Sequence, residues 1–303
     1  MTGIKVSVIM PVFNRPREFV YSLASILAQD FRDFETIIVD DGSNPPLEMP
    51  ALENTRLIRQ LNAGAGAARS RGAREARGVF LAFLDAGDLW RFDKLSRQVA
   101  MLESAPPEVG GVFCDFLYGS PRAKRFALRS TPQVVNWHDL FLDGCHCSPG
   151  STLLLRRTAF EMVGPQDPRG DLRRLEDWDW LLRAAREYCF LSLREPLAMV
   201  LLGGRPKERD IVEATEVLAY HHLPGLGRQA ARLRATLLVE RAMAAHWNGK
   251  SMKAVAILMR IFVLRPLTVV AQLLKLLNRR PRIARGCLPQ YEGGGSQPVR
   301  EET

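Results

Sequence analysis

The chain has 303 residues, of which 47% are hydrophobic and 25% charged, a composition that excludes disordered and fibrous classes and supplies enough apolar surface for one large or two small domains. Its formal net charge of +9 leaves nucleic acid, an anionic membrane and phosphorylated ligands open as partners. The cysteines, Cys114, Cys145, Cys147, Cys189 and Cys287, are too few and too odd in number for a secreted disulfide scaffold, so a reducing cytoplasm is the expected compartment.

In chain order, residues 4–10 form a β-rich run closed by Pro11, and residues 1–11 lack the basic, apolar and cleavage-site sequence of a signal peptide. Residues 16–29 carry Phe19, Leu23, Ile26 and Leu27 on one helical face. A second strand at 35–39 ends at the breaker cluster Asp40-Asp41-Gly42-Ser43-Asn44-Pro45-Pro46. A short third strand is expected at 56–60, a helix at 65–77, a fourth strand at 79–84 ending at Asp85-Ala86-Gly87-Asp88, a helix at 92–104 and a strand at 109–116. Residues 120–150 are irregular; then follow a strand at 152–155, helices at 158–163 and 177–187, and a last strand at 197–202. After Gly203-Gly204-Arg205-Pro206 the chain is expected to be helical to about residue 278, and the glycine-rich tail 286–303 to be disordered.

This alternation implies an α/β fold with a mostly parallel sheet and helices on both faces. Ligands in such sheets bind beyond the carboxyl ends of the strands. Three strand ends carry polar clusters: Pro11-Val12-Phe13-Asn14, Asp40-Asp41 and Asp85 to Asp88. Their coincidence points to one shared site rather than three separate turns.

The positive charge is concentrated. Residues 228–285 hold 13 Lys and Arg against the single acid Glu240, a net of +12 that leaves −3 on the remainder of the chain. Met252, Val255, Ile257, Leu258, Ile261, Phe262 and Leu264 recur there at helical spacing, with Lys253 and Arg260 between them. One reading is a helix pair with solvated charges; the other is an element lying on an anionic leaflet. No helix-turn-helix, zinc-finger or RNA-binding aromatic signature accompanies the charge, so nucleic acid is not an expected partner. No run of about 18 uncharged apolar residues supports a spanning helix.

The ordered blocks Val6-Ser7-Val8-Ile9-Met10-Pro11-Val12-Phe13-Asn14, Phe34-Glu35-Thr36-Ile37-Ile38-Val39-Asp40-Asp41-Gly42-Ser43, Asn62-Ala63-Gly64, Phe83-Leu84-Asp85-Ala86-Gly87-Asp88 and Glu176-Asp177-Trp178-Asp179-Trp180 make the chain resemble the family 2 glycosyltransferases. The resemblance covers about residues 4–202. It implies a GT-A domain over 1–205; the charge and apolar pattern place after it a basic helical extension over 206–285, a candidate for the membrane interface, and the tail 286–303. It implies transfer of a sugar from a nucleotide-diphospho sugar to a hydroxyl of a glycan or lipid-linked acceptor in bacterial surface polysaccharide synthesis. The location would be cytoplasmic, with peripheral attachment to the inner membrane as an option.

By that resemblance Pro11, Val12, Asn14, Asp40, Asp41, Asn62, Gly64 and Arg69 are expected to contact the nucleotide. Asp41 is suited to accept a hydrogen bond from a base N–H or a ribose hydroxyl. Asp85 and Asp88 are the expected ligands of a divalent ion, Mn²⁺ or Mg²⁺, that offsets the charge developing on the pyrophosphate. The family's commonest form has an Asp-x-Asp-Asp pattern, and the acid credited there with direct metal contact falls on Gly87. Asp177 is the expected general base, taking the acceptor proton in a single displacement that inverts the anomeric centre. Asp85, Glu176 and Trp178 are expected to face donor or acceptor. Arg69 and Arg71 are candidates for phosphate or base, and Arg205 for phosphate. Cys145-His146-Cys147 offers too few ligands for a zinc site, and His221-His222 has no partner motif. A member that only binds the nucleotide sugar is one alternative, motivated by Gly87; a basic nucleic-acid-binding protein, motivated by the +12 segment, is the other.

Overall fold

The computed structural model describes residues 3–120, 125–131, 136–144, 147–167, 170–201 and 203–264. In chain order the elements are β1 (Val6–Val12), α1 (Pro16–Leu27), β2 (Phe34–Asp40), β3 (Thr55–Arg59), α2 (Ala65–Glu75), β4 (Phe80–Phe83), β5 (Leu89–Trp90), α3 (Lys94–Glu103), β6 (Val109–Ser120) and β7 (Arg125–Arg129). They continue with α4 (Trp137–Leu142), α5 (Pro149–Thr152), β8 (Leu154–Arg156), α6 (Arg157–Val163), α7 (Glu176–Glu187), β9 (Cys189–Leu201), α8 (Glu208–His222), α9 (Ala230–Trp247) and α10 (Ser251–Leu264).

One sheet runs in the order β3-β2-β1-β4-β8-β6-β9-β5, with β7 paired to β6. β3, β2, β1 and β4 are mutually parallel, and so are β6 and β9, while β8, β7 and β5 run antiparallel to their neighbours. Every residue of β1 is buried, as a parallel strand covered on both faces requires. One apolar layer gathers Phe19, Leu23 and Ile26 of α1 with Val8 and Met10 of β1. The other joins Ile9 and Ile37 to Trp178 and Leu181 of α7, and also to Leu218 of α8 and Leu233 of α9. The first two helices of the C-terminal extension therefore share the core of the α/β body.

The chain leaves β1 outward to β2 and β3, then returns to place β4 on the other side of β1. This reversal is a topological switch point, and the carboxyl ends of β1, β2 and β4 open together there. The expected helices at 16–29, 65–77, 92–104 and 177–187 all form, with ends shifted by at most two residues. The irregular stretch 120–150 contains a strand, β7, and two short helices, α4 and α5. The last strand starts at Cys189 rather than at 197. The expected helix between 265 and 278 and the tail 286–303 lie outside the described residues.

Candidate active site

The switch point carries a cavity of about 500 Å³ whose walls include Pro11, Val12, Asp41, Asn62, Gly64, Arg69, Asp85, Glu176 and Asp177. Asp41 stands one residue past β2 and organises the next loop. Its Oδ1 accepts from Ala63 N (2.9 Å) and Gln60 Nε2 (2.8 Å), and its Oδ2 from Gly64 N (2.9 Å) and Asn62 Nδ2 (3.2 Å). That loop starts α2 at Gly64, and α2 carries Arg69 inward. Arg71 points the other way and pairs with Glu75 on the surface, so of the two arginines only Arg69 enters the site.

Arg69 is 2% exposed and ties three carboxylates together. Its Nη2 donates to Asp85 Oδ1 (2.7 Å) and Oδ2 (2.9 Å), and its Nη1 to Asp177 Oδ1 (2.8 Å), Glu176 Oε1 (3.4 Å) and Gln166 Oε1 (3.3 Å). Burial works against the guanidinium charge, but Asp177, Asp85 and Glu176 outweigh it and raise the Arg69 pKa. Arg69 was expected to meet phosphate or base; its N–H groups instead hold the acids in register. Glu176 Oε2 and Arg69 Nε are buried without a hydrogen-bond partner among the described residues.

Asp177 sits in the first turn of α7, beside the cavity. Burial is the main cause that raises its pKa, opposed by Arg69 and reinforced by Glu176 and Asp85, while the Gly150 N–H bonded to its carboxylate stabilises the ionised form. Glu176 is raised in the same direction and for the same leading cause. Gly150 is required by space: a Cβ there would lie 2.7 Å from Asp85 Oδ2 and 2.8 Å from Arg69 Nη2. Any side chain at 150 would push apart the Asp85–Arg69–Asp177 array.

Several expected residues sit elsewhere. Trp178 does not face donor or acceptor; it is 2% exposed and donates its indole N–H to Phe141 O (2.6 Å) in the core, which fixes the rotation of α7. Asp40 is buried behind the site, accepting from Ser43 N (2.9 Å) and Leu47 N (3.1 Å). Burial would raise its pKa, but the donors from Ser43 and Leu47 and the charge of Arg59 hold it below the usual carboxylate range. Asn14 does not line the cavity. Its side chain accepts from Asn44 N (2.9 Å), and its backbone N–H donates to Ser43 Oγ (2.9 Å). Arg205 is exposed and away from the cavity walls. Cys145 and His146 lie outside the described residues, and Cys147 is a buried thiol pushed up to about 12 by burial. His221 and His222 are engaged with Asp179.

The metal motif is only partly arranged as a metal site. Asp88 is 7% exposed; Ser151 Oγ donates to its Oδ2 and Leu201 N to its Oδ1 (2.8 Å), so it joins three parts of the fold from behind the cavity. Burial, then the charge of Asp85, pushes its pKa up to about 7. Gly87 has φ +115°, a conformation in which an Asp side chain would be strained. No group of three or more potential ligands converges among the described residues. Asp85, with 40% of its side chain exposed, is the carboxylate of this motif that lines the cavity. A divalent ion fits here in the manner of Mg²⁺ in phosphate sites, on one carboxylate plus the oxygens of a bound diphosphate.

Arg15, Asp167, Arg173 and Arg174 also line the cavity and were not anticipated. Gln166, beside Asp167, is anchored by Ser70, whose Oγ donates to Gln166 O (3.0 Å) and accepts from Gln166 N (2.8 Å).

Known proteins resemble this chain in sequence and in fold. The sequence model of glycosyl transferase family 2 matches residues 7–163, more than half of the chain. An uncharacterized glycosyltransferase of Rickettsia felis is 38% identical over 33% of this chain, a stretch that spans 17% of that relative. The UDP-Glc:alpha-D-GlcNAc-diphosphoundecaprenol beta-1,3-glucosyltransferase WfgD of Escherichia coli is 34% identical over 34% of this chain and 42% of its own length. The matched stretches thus cover less than half of either relative. Among solved structures, S. aureus TarS 1-349 in complex with UDP superimposes with a TM-score of 0.58 at 20% identity, covering 82% of this chain and 75% of that one, a likeness of fold.

Proposed function

Because the chain belongs to glycosyl transferase family 2, we propose that it moves a sugar from a nucleotide-diphospho sugar to a hydroxyl of a glycan or lipid-linked acceptor, with inversion at the anomeric carbon, in bacterial surface polysaccharide synthesis. The observation that carries this reading is the meeting of Asp41, Asp85 and Asp177 on the walls of one cavity, at the carboxyl ends of β2 and β4 and the start of α7. The name of WfgD, a transferase acting on a diphosphoundecaprenol-linked sugar, supports the acceptor class.

In this reading Pro11, Val12, Asn62 and Gly64 form the wall against which base and ribose lie, with Asp41 setting the loop that shapes it. Asp85 faces the sugar and the phosphates. A divalent ion, when bound at Asp85 and the donor's phosphates, supplies positive charge to the leaving diphosphate. Asp177 takes the proton of the acceptor hydroxyl as that oxygen attacks the anomeric carbon. A carboxyl whose pKa is raised toward neutrality is better matched to this task than an ordinary one. Arg69 holds Asp177 and Asp85 at a fixed separation, which orients the base toward the reacting carbon. One base and one displacement give inversion.

The test is Asp177→Asn, assayed for sugar transfer and for nucleotide binding. Turnover should fall by about 10³-fold, within the range of lost general-base catalysis, with nucleotide affinity unchanged within about twofold. Turnover close to wild type would overturn the assignment.

A further inference from the structure

The charges around the cavity are paired unevenly. Its carboxylates are occupied within the protein. Asp41 has four N–H donors, Asp167 accepts from Asp171 N (3.1 Å) and Leu172 N (2.7 Å), and Asp85, Glu176 and Asp177 share Arg69. The other guanidiniums on its wall are not so occupied. Arg15 donates from Nη1 to Ala86 O (3.0 Å), and Arg174 from Nη1 to Gly204 O (3.1 Å). Arg173 has no hydrogen-bond partner, and none of the three has a carboxylate within ion-pair distance, among the described residues. On a lining that also holds five carboxylates, these three guanidiniums are the charged groups left to meet the oxygens of an anion.

A second observation concerns Gly87. A Cβ built there would lie 3.4 Å from Arg15 Nη1. The Arg15 guanidinium therefore stands beside the point from which the missing acid of the metal motif would project. A carboxylate at 87 would serve by recruiting a cation; here a cation belonging to the protein is already in place. The planar fork of arginine matches phosphate oxygens well.

We infer that Arg15, Arg173 and Arg174 form a diphosphate-binding rim that holds the donor's two phosphates whether or not a divalent ion stands at Asp85. The inference rests on the nucleotide-sugar reading for the identity of the ligand, but not for the existence of the rim. In transfer, the acceptor oxygen bonds to the anomeric carbon, the bond from that carbon to the phosphate oxygen breaks, and its electron pair leaves with the diphosphate. The rim stabilises that added charge while Asp177 keeps the acceptor proton.

The experiment is calorimetric titration of the full chain, in EDTA, with inorganic pyrophosphate, UDP, GDP, UMP and GMP. Pyrophosphate should bind, and one nucleoside diphosphate should bind at least about tenfold tighter than its monophosphate. Arg15→Gln and Arg173→Ala should each weaken pyrophosphate and diphosphate binding by about tenfold, the loss expected for one charge-assisted contact, and monophosphate binding by much less. Both side chains are exposed, and unchanged melting curves will show that the variants fold. Arg15→Lys and Arg173→Lys, which keep the charge but not the fork, should fall between. Diphosphate binding that appears only with Mn²⁺, or variants that bind as the wild type does, would overturn the rim. Nucleoside diphosphates binding wild type and variants alike would remove the rim and leave the donor reading standing. Pyrophosphate bound by the wild type alone, with no nucleotide bound, would keep the rim and remove the donor reading.

Discussion

Arg69 and Lys94 are both buried cations, and the fold accommodates them by opposite means. Arg69 is surrounded by carboxylates, whereas Lys94 has a neutral neighbour, Gln98 Oε1 at 2.6 Å, and lies 4.1 Å above the ring of Trp90. Burial pushes the Lys94 pKa from 10.5 down to about 8. The folded state therefore holds this proton less tightly than the unfolded chain, so its contribution to stability is full above pH 10.5 and is lost as pH falls through about 8. In urea unfolding, the stability of wild type relative to Lys94→Met should rise with pH between about 8 and 10, by up to about 3 kcal/mol. A difference that is flat with pH would show that Lys94 does not titrate in the folded core. The same distinction between charge and burial governs what was legible in the site. Asp41, Asp85 and Asp177 were legible because strand ends and a helix start announce themselves in the sequence. Trp178 and Asp88 were misplaced because adjacency to a site acid says nothing about which way a side chain turns. Arg15, Arg173, Arg174 and Gly150 carried no local signal, since only tertiary folding brings the arginines to one cavity and Gly150 against Asp85 and Arg69.

Helix α7 shows how an element is aimed. Trp178 and Trp180 donate their indole N–H groups to Phe141 O (2.6 Å) and Gly164 O (3.0 Å), and Trp180 stacks on Phe160. Asp179, 4% exposed, accepts from Arg183 Nε (3.0 Å) and pairs with His222 Nε2 (2.9 Å) of α8. Burial would raise the Asp179 pKa, but His222 and Arg183 outweigh it and hold it low. The first turn of α7, and with it Asp177, is thereby fixed to the C-terminal helices. His222→Ala should cost about 2–3 kcal/mol in urea unfolding, the penalty of leaving a buried carboxylate short of a partner, and should lower turnover. His222→Gln, which retains a donor, should recover most of both; a variant as stable and active as wild type would mean that α7 is held without α8. The helices of the body were legible from their apolar faces, whereas β9 was recognised only over its last residues. The reason is a bulge: Cys114 pairs with Leu193 and Asp115 with Pro196, so Arg194 and Glu195 are extra on that strand. Glu195 uses the bulge to reach Arg91 (2.9 Å) and Arg97 (2.9 Å). A Pro and two charges read as a break in sequence, yet the sheet accepts them there. The two-residue β5 lies below the length at which periodicity has meaning.

At the scale of the whole molecule, the uneven charge and the apolar pattern meet in α10. Its inner face packs Ala254 and Ile261 against Ala235, Val239 and Ala245 of α9. Its outer face exposes Met252, Val255, Met259 and Phe262, one stripe at helical spacing, with the exposed Arg260 beside it. No helix among the described residues is long and apolar enough to cross a membrane. An exposed apolar stripe within a segment of net charge +12 is the pattern expected of a helix that lies in an anionic headgroup layer, and that expectation can be tested. The replacement Met252→Ser, Val255→Ser, Met259→Ser and Phe262→Ser leaves the inner face of α10 untouched, so the fold should survive while the apolar contact is lost. With vesicles of equal parts phosphatidylglycerol and phosphatidylcholine, the wild-type chain should sediment, and the four-fold variant should bind at least about tenfold more weakly. Raising the salt should release the wild type, because the attraction to anionic lipid is screened within about 10 Å at 0.1 M. Equal sedimentation of the two proteins would leave the stripe without a role at a membrane and would return the basic segment to the reading of a solvated helical surface.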